Sequence, residues 1–252
     1  MKKFLLIAII LPVITFAAPA QIDSLWERAN VSYSNEEYQE ALELYKQIEE
    51  SGVESAALYY NMGNAYFKMN YLARSILYYE KAIRLDPKNP DISYNLTVAR
   101  DHCIDRIEPV PHFFVSEWLR KSHQALPSGI WAAFSSILLV MALVFFLLFL
   151  FARGVRFRKM SFILSILIFL FFVTSTVFAW QSKKEATRED IAIVVSAVCP
   201  IKSAPGVQGK DLLVLHEGTR VRVLEEMGEW VRIELEDGRQ GWVLLHEIVF
   251  VY

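Results

Sequence analysis

Apolar positions recur with helical spacing over residues 25–48 and again over 56–85, the period of amphipathic helices. Ser51-Gly52 and Asp86-Pro87-Lys88-Asn89-Pro90 interrupt the pattern, and Pro87 and Pro90 stop one helix and let the next begin. A third helical stretch runs from Asp91 to about Ile107 and stops before Pro109 and Pro111. No later helix is there to pair with it, so it reads as a cap. Two unbroken apolar runs follow at 130–152 and 162–180, neither containing a charge. At 1.5 Å per residue they reach about 34 and about 28 Å, against a hydrocarbon core near 30 Å, so both are expected to span a membrane. Trp131 and Trp180 stand at their outer ends, where indole rings favour the headgroup layer. Beyond them the pattern shortens to β-rich runs at 191–198, 212–215, 220–224, 230–235, 242–244 and 248–251. Turn signals at Ala204-Pro205-Gly206, Glu217-Gly218, Met227-Gly228 and Asp237-Gly238 separate them. Five or six short strands predict a small barrel.

The helical region contains two aligned copies of one pattern, 34 residues apart. Ala29-Asn30 aligns with Gly63-Asn64, Tyr38 with Leu72, Ala41 with Ser75, Tyr45 with Tyr79 and Ile48 with Ala82, and Tyr60-Asn61 recurs at Tyr94-Asn95. A helix-turn-helix unit of this period builds a surface that holds another protein. The stretch resembles the tetratricopeptide repeat family. In the second copy Gly63, Tyr66, Ala82 and Pro87 occupy the family's Gly, Tyr, Ala and Pro positions. The first copy departs, with Ala29 for Gly and no terminal Pro. The resemblance implies a concave groove lined by the first helix of each repeat: Trp26, Asn30 and Tyr33, then Tyr60, Asn64 and Phe67, then Tyr94 and Val98. Each Asn offers a donor and an acceptor to an extended peptide. The aromatics either supply contact area to a ligand or pack between helices. Trp26, Tyr94 and Val98 stand where the family's clamp for a terminal carboxylate needs Lys or Arg, so no such clamp is expected. The acids Glu36, Glu37, Glu40, Glu43, Glu49, Glu50 and Glu54 read as a solvated face or as a patch for a basic partner.

Composition sharpens this picture. The hydrophobic share is 54% and is concentrated in blocks. The first block, residues 4–16, follows Lys2 and Lys3 and precedes Ala17-Ala18-Pro19-Ala20, the make-up of a cleaved signal peptide. The 153–161 link carries four positive charges and no acid, which places it in the cytoplasm. The repeats and the C-terminal region are then both exported, on the periplasmic side of a bacterial inner membrane. Absence of ionisable residues within either run argues against transport. The net charge of −2 proposes no nucleic acid. In the connector, Phe113, Phe114 and Trp118 with Arg120 and Lys121 form either a membrane-surface segment or a plain linker. Cys103 and Cys199 are either a disulfide between exported domains or two small buried residues. The sequence contains no catalytic triad, metal-ligand spacing or phosphate loop, so neither an enzyme nor a cofactor is expected. His216 sits in a turn with no second ligand nearby.

Ser203-Ala204-Pro205, Leu215-His216-Glu217-Gly218-Thr219, Glu229-Trp230, Asp237-Gly238 and Gly241-Trp242-Val243 resemble the bacterial SH3-like family, which implies binding of peptides or cell-wall material. Trp230 and Trp242 are the candidates for its ligand face, with core or strand-edge packing as the alternative. The expected order is a signal peptide (1–20), a repeat domain of two repeats and a capping helix (21–107), a connector (108–129), a first membrane helix (130–152), a cytoplasmic loop (153–161), a second membrane helix (162–180) and an SH3-like domain (185–252). That order is similar to the BatE proteins of the Bacteroides aerotolerance operon. The likeness rests most on Tyr60-Asn61-Met62-Gly63-Asn64-Ala65-Tyr66-Phe67, Tyr78-Tyr79-Glu80-Lys81-Ala82-Ile83-Arg84-Leu85-Asp86-Pro87 and the 215–219 motif. It implies a scaffold in a stress-linked complex with von Willebrand A-type membrane proteins and a MoxR-type ATPase. The runner-up is a peptidoglycan sensor or anchor acting through the barrel.

Overall fold

A computed structural model describes residues 19–108, 110 and 114–252; most of the expected signal peptide, residues 1–18, lies outside them. The chain divides into two units, one holding the helical repeats and the barrel, the other holding the apolar helices.

The first unit opens with α1 (Pro19–Ser34), α2 (Tyr38–Glu50), α3 (Ala56–Lys68), α4 (Leu72–Leu85) and α5 (Pro90–Asp101). Each long periodic run is thus two helices. They are parted at Glu36 and Asn70, whose φ angles of 67° and 62° are left-handed. At both turns a backbone N–H reaches five residues back, Glu37 to Ser32 and Tyr71 to Tyr66, each at 2.9 Å. This closure satisfies the last carbonyls of a helix. Ser55 caps α3 by accepting the Leu58 N–H, and Asn89 caps α5 by accepting those of Asp91 and Ile92. Ala41, Leu42, Tyr45, Ile48, Leu58, Met62, Ala65 and Ala82 form the core between the helices. Gly63 is small because Tyr79 lies against it: a Cβ there would stand 2.6 Å from the Tyr79 ring. Glu49 departs from the expected solvated face, since it accepts the Tyr78 hydroxyl at 3.0 Å and pairs with Lys81 at 3.4 Å.

The barrel is a seven-stranded sheet in the order β3-β2-β6-β5-β4-β1-β7. Its strands are β1 (Ile191–Val194), β2 (Cys199–Lys202), β3 (Asp211–Leu215), β4 (Arg220–Met227), β5 (Trp230–Glu234), β6 (Gln240–Leu244) and β7 (Ile248–Phe250). The strand over Cys199–Lys202 is not among the expected runs; it contains Pro200, a residue uncommon inside a sheet, which pairs with Val214 of β3. Its pairing with β6 is confined to Lys202↔Trp242, so Pro200 lies beyond that ladder. Ile193, Ile201, Val231, Ile233 and Val243 fill the interior. Both cysteines are free thiols, so the disulfide is not formed. Burial pushes the Cys103 thiol up to about 11 and Cys199 higher still, and neither is a ready nucleophile.

Within this unit the barrel meets the end of the helical array. Helix α5 stops at Asp101 rather than continuing to 107, and the residues after it turn towards the 215–219 loop. The Asp105 carboxylate accepts the His216 backbone N–H at 2.6 Å and the Thr219 hydroxyl at 2.7 Å, and lies 2.9 Å from His216 Nδ1. Buried Glu80 pairs with Arg100 of α5 and, at 3.4 Å, with Arg220 of β4. Gly218 adopts φ 89°, and a Cβ on it would stand 2.6 Å from the Cys103 sulfur. Burial alone would raise the Asp105 pKa, but the hydrogen bonds from His216 and Thr219 outweigh it and hold the group below its ordinary 3.8.

The second unit comprises α6 (Phe114–Gln124), α7 (Ser128–Phe151) and α8 (Val155–Ala186). The last two are long and apolar enough to cross a membrane. They pair closely through small polar residues. Ser135 and Thr176 hydroxyls lie 2.7 Å apart, and Ser165 and Ser175 donate to the carbonyls of Ala142 and Trp131. The expected nine-residue loop at 153–161 is shorter in the structure: Arg156, Arg158 and Lys159 already belong to α8, which also runs past Trp180. A basic side chain does not break a helix, and Gly154 marks its start. The connector contains the helix α6, fixed to α7 where the Trp131 indole donates to the His123 carbonyl at 3.1 Å.

Two outcomes test this packing. Replacing Gly63 by Ala forces the buried Tyr79 ring to move and is expected to cost about 1–3 kcal/mol in chemical unfolding. Asp105 binds its proton more weakly folded than unfolded. Its stabilisation is therefore complete above the unfolded-state pKa and is lost as pH falls through the lower, folded-state value. Asp105→Asn is expected to lower stability at about pH 7 and to matter little near pH 2, read from urea midpoints across pH.

Candidate functional site

The 34-residue register turns into a repeated hydrogen-bond network. In the first copy the Asn30 side-chain oxygen accepts from the Tyr45 hydroxyl at 2.7 Å and from the Asn61 amide at 3.3 Å. In the second, the Asn64 oxygen accepts from the Tyr79 hydroxyl at 2.6 Å and from the Asn95 amide at 2.9 Å. Tyr45 and Tyr79, Asn30 and Asn64, and Asn61 and Asn95 are equivalent pairs. Asn95 also donates to the Tyr60 hydroxyl at 3.0 Å. Burial pushes the Tyr45 phenol up to about 12 and raises Tyr79 further, so both hydroxyls stay protonated and keep donating.

This network amends the expectation for the asparagines. Two donors occupy each side-chain oxygen, so Asn30 and Asn64 present their NH2 ends, not a donor and an acceptor. The groove therefore offers hydrogen-bond donors at a one-repeat interval, suited to carbonyl oxygens of an extended chain.

A cavity of about 300 Å³ is lined by Tyr33, Tyr60, Asn64, Phe67, Lys68, Tyr79, Asn95 and Val98. Five of the eight nominated groove residues, Tyr33, Tyr60, Asn64, Phe67 and Val98, meet here. Asn30 holds the equivalent place one repeat earlier. Trp26 packs edge-on against Tyr45 at 5.8 Å, as Tyr60 packs against Tyr79 at 6.0 Å, so it belongs to the inter-helix packing. Tyr94 is the third member of that series, and among the described residues of this unit no second helix follows α5. It is 69% exposed and does not line the cavity. Lys68, Tyr79 and Asn95 went unread as lining residues. The recurrence of Tyr60-Asn61 at Tyr94-Asn95 was the signal for Asn95. Lys68 gives the cavity a cation that the face positions alone did not supply.

On the barrel, Trp230 and Trp242 are both half-buried and share one outer face. Val231, Ile233 and Val243 alternate inward beside them. In the ladder Trp242 lies opposite Arg232 on β5 and Lys202 on β2, while Trp230 lies opposite Leu244. Arg232 is held by Gln240 at 2.7 Å and Lys202 by Asp211 at 3.0 Å. The face thus carries two tryptophans, with Arg232 and Lys202 beside Trp242 and paired with Glu225 and Asp211. Among the described residues, no group of three or more His, Cys, Asp or Glu is placed to hold a metal.

Residues 56–89 match the family model for the tetratricopeptide repeat, and residues 196–248 match that for the bacterial SH3 domain. No curated protein matches the chain. The first match covers α3 and α4, the copy with Gly63 and Pro87; the second covers β2 to β6 with the loops between them. Both are interaction modules and typically non-catalytic.

Tyr79→Phe removes the hydroxyl donor while keeping the ring. It is expected to cost about 1 kcal/mol or somewhat more in unfolding, and to leave the Asn64 oxygen with Asn95 as its remaining donor, visible as a shift and broadening of the Asn64 side-chain NH2 signals in NMR spectra.

Proposed function

We propose that this protein is a membrane-anchored, exported scaffold whose repeat groove holds an extended segment of a partner protein. One observation carries the reading: the duplicated Tyr–Asn–Asn network fixes two amide donors at a one-repeat spacing beside a cavity lined by Phe67 and Tyr33. Holding the asparagines in one orientation removes an ordering cost on binding. The signal-peptide pattern and the basic start of α8 support export of both the repeats and the barrel to the periplasmic side. The likeness to BatE proteins supports von Willebrand A-type membrane proteins as partners, acting with a MoxR-type ATPase in aerotolerance or envelope stress.

A second reading has its own support. Trp230 and Trp242 on one face, with Lys202 and Arg232 beside Trp242, suit a peptidoglycan fragment carrying carboxylates. The barrel would then sense or anchor the cell wall while the groove holds the partner.

A photoreactive phenylalanine at position 67, where an aromatic ring already lines the cavity, tests the first reading in intact cells. The expected result is an adduct with an exported or membrane protein, and Asn64→Ala in the same chain should lower its yield by at least about tenfold. Absence of any protein adduct would refute the groove.

A further inference from the structure

Helix α5 faces two ways. Ile92, Leu96 and Ala99 bury one side against the array. Asn95 and Val98 line the cavity. Arg100, and Cys103 and Asp105 just beyond the helix, reach Glu80 and the barrel loop. In the repeat pattern, a second helix would follow α5 directly; among the described residues of this unit the chain instead leaves the helix at Asp101 and runs to the barrel loop. Twelve residues make a helix that is marginal without packing partners. The barrel loop meets α4 and the residues just beyond α5: Asp105 takes hydrogen bonds from His216 and Thr219, Gly218 lies against Cys103 and Ile76, and Glu80 of α4 pairs with both Arg100 of α5 and Arg220 of β4.

We infer that the barrel is the C-terminal cap of the repeat array, and that Asp105 and Glu80 are positioning residues of the groove. They act through α5 to hold Asn95, and Asn95 in turn holds Asn64 at 2.9 Å. The 215–219 motif is then a docking element towards the chain's own repeats. Its Gly is required by the left-handed turn and by the close approach of the Cys103 sulfur. This rests on the groove as the binding site, but its test needs no ligand, so the two readings fail separately.

The test is hydrogen–deuterium exchange on the full chain in detergent micelles, comparing Asp105→Ala with the unchanged protein. Exchange is expected to rise by about tenfold or more, the weight of a charge-assisted hydrogen bond, in both the 216–219 loop and α5, with α2 unchanged. Thr219→Val, made from the barrel side, should give the same pattern in weaker form. Asp105→Asn, which keeps one acceptor oxygen, should restore much of the protection. Exposure of the loop with α5 still protected would overturn the inference, as would no change in either segment, or exchange rising equally across α1 to α4.

Discussion

A helical repeat buries its apolar face only against a neighbour, so an array has exposed ends, and arrays of this type are stable from about three repeats upward. Among the described residues this array has two helix pairs, α1–α2 and α3–α4, and one extra helix, α5. The shortage is met by packing the array against the barrel. Charge-assisted bonds to Asp105 and the Glu80 pairs fix the contact, and the Gly218 turn allows the close approach. The position of α5, the closure of the groove and the placing of the barrel follow from that one joint. Its polar character is consistent with this. Glu80 is a buried charge, and such a group is tolerable only when fully paired.

The groove depends on the same economy of parts. Buried tyrosines that serve the core through their rings also donate through their hydroxyls, and so orient the asparagines that face the cavity. Core packing and lining the cavity are therefore not alternatives for these positions. Tyr79 does both, while Trp26 and Tyr60 pair with their second-helix partners in equivalent ways and only Tyr60 reaches the cavity.

Local patterns made most of the fold legible. The 34-residue register showed the repeats, the uncharged runs showed the two long apolar helices, and turn dipeptides marked most strands. What escaped was set by distance or by compromise. Asp105 and His216 are 111 positions apart, and no local spacing announces a bond between them. β2 is short, contains Pro200 and pairs with β6 only at Lys202, so it carries little local strand signal. Helix α5 stops at Asp101 although the helical pattern itself continues, and the residues beyond it meet the distant 215–219 loop. The asparagine network was half visible: the recurring Tyr-Asn dipeptide was plain, but that it would consume the oxygens of Asn30 and Asn64 required the fold.

Through the joint at Asp105 and Glu80, the repeats and the barrel form one cooperative body. Fluorine NMR of the full chain in micelles, with fluorotryptophan reporting from Trp26 in the repeats and from Trp230 and Trp242 in the barrel, reads both parts in the same molecule as urea is raised. The account predicts coincident unfolding midpoints at the three sites. A barrel that melts while Trp26 keeps its folded signal, or the reverse, would contradict it.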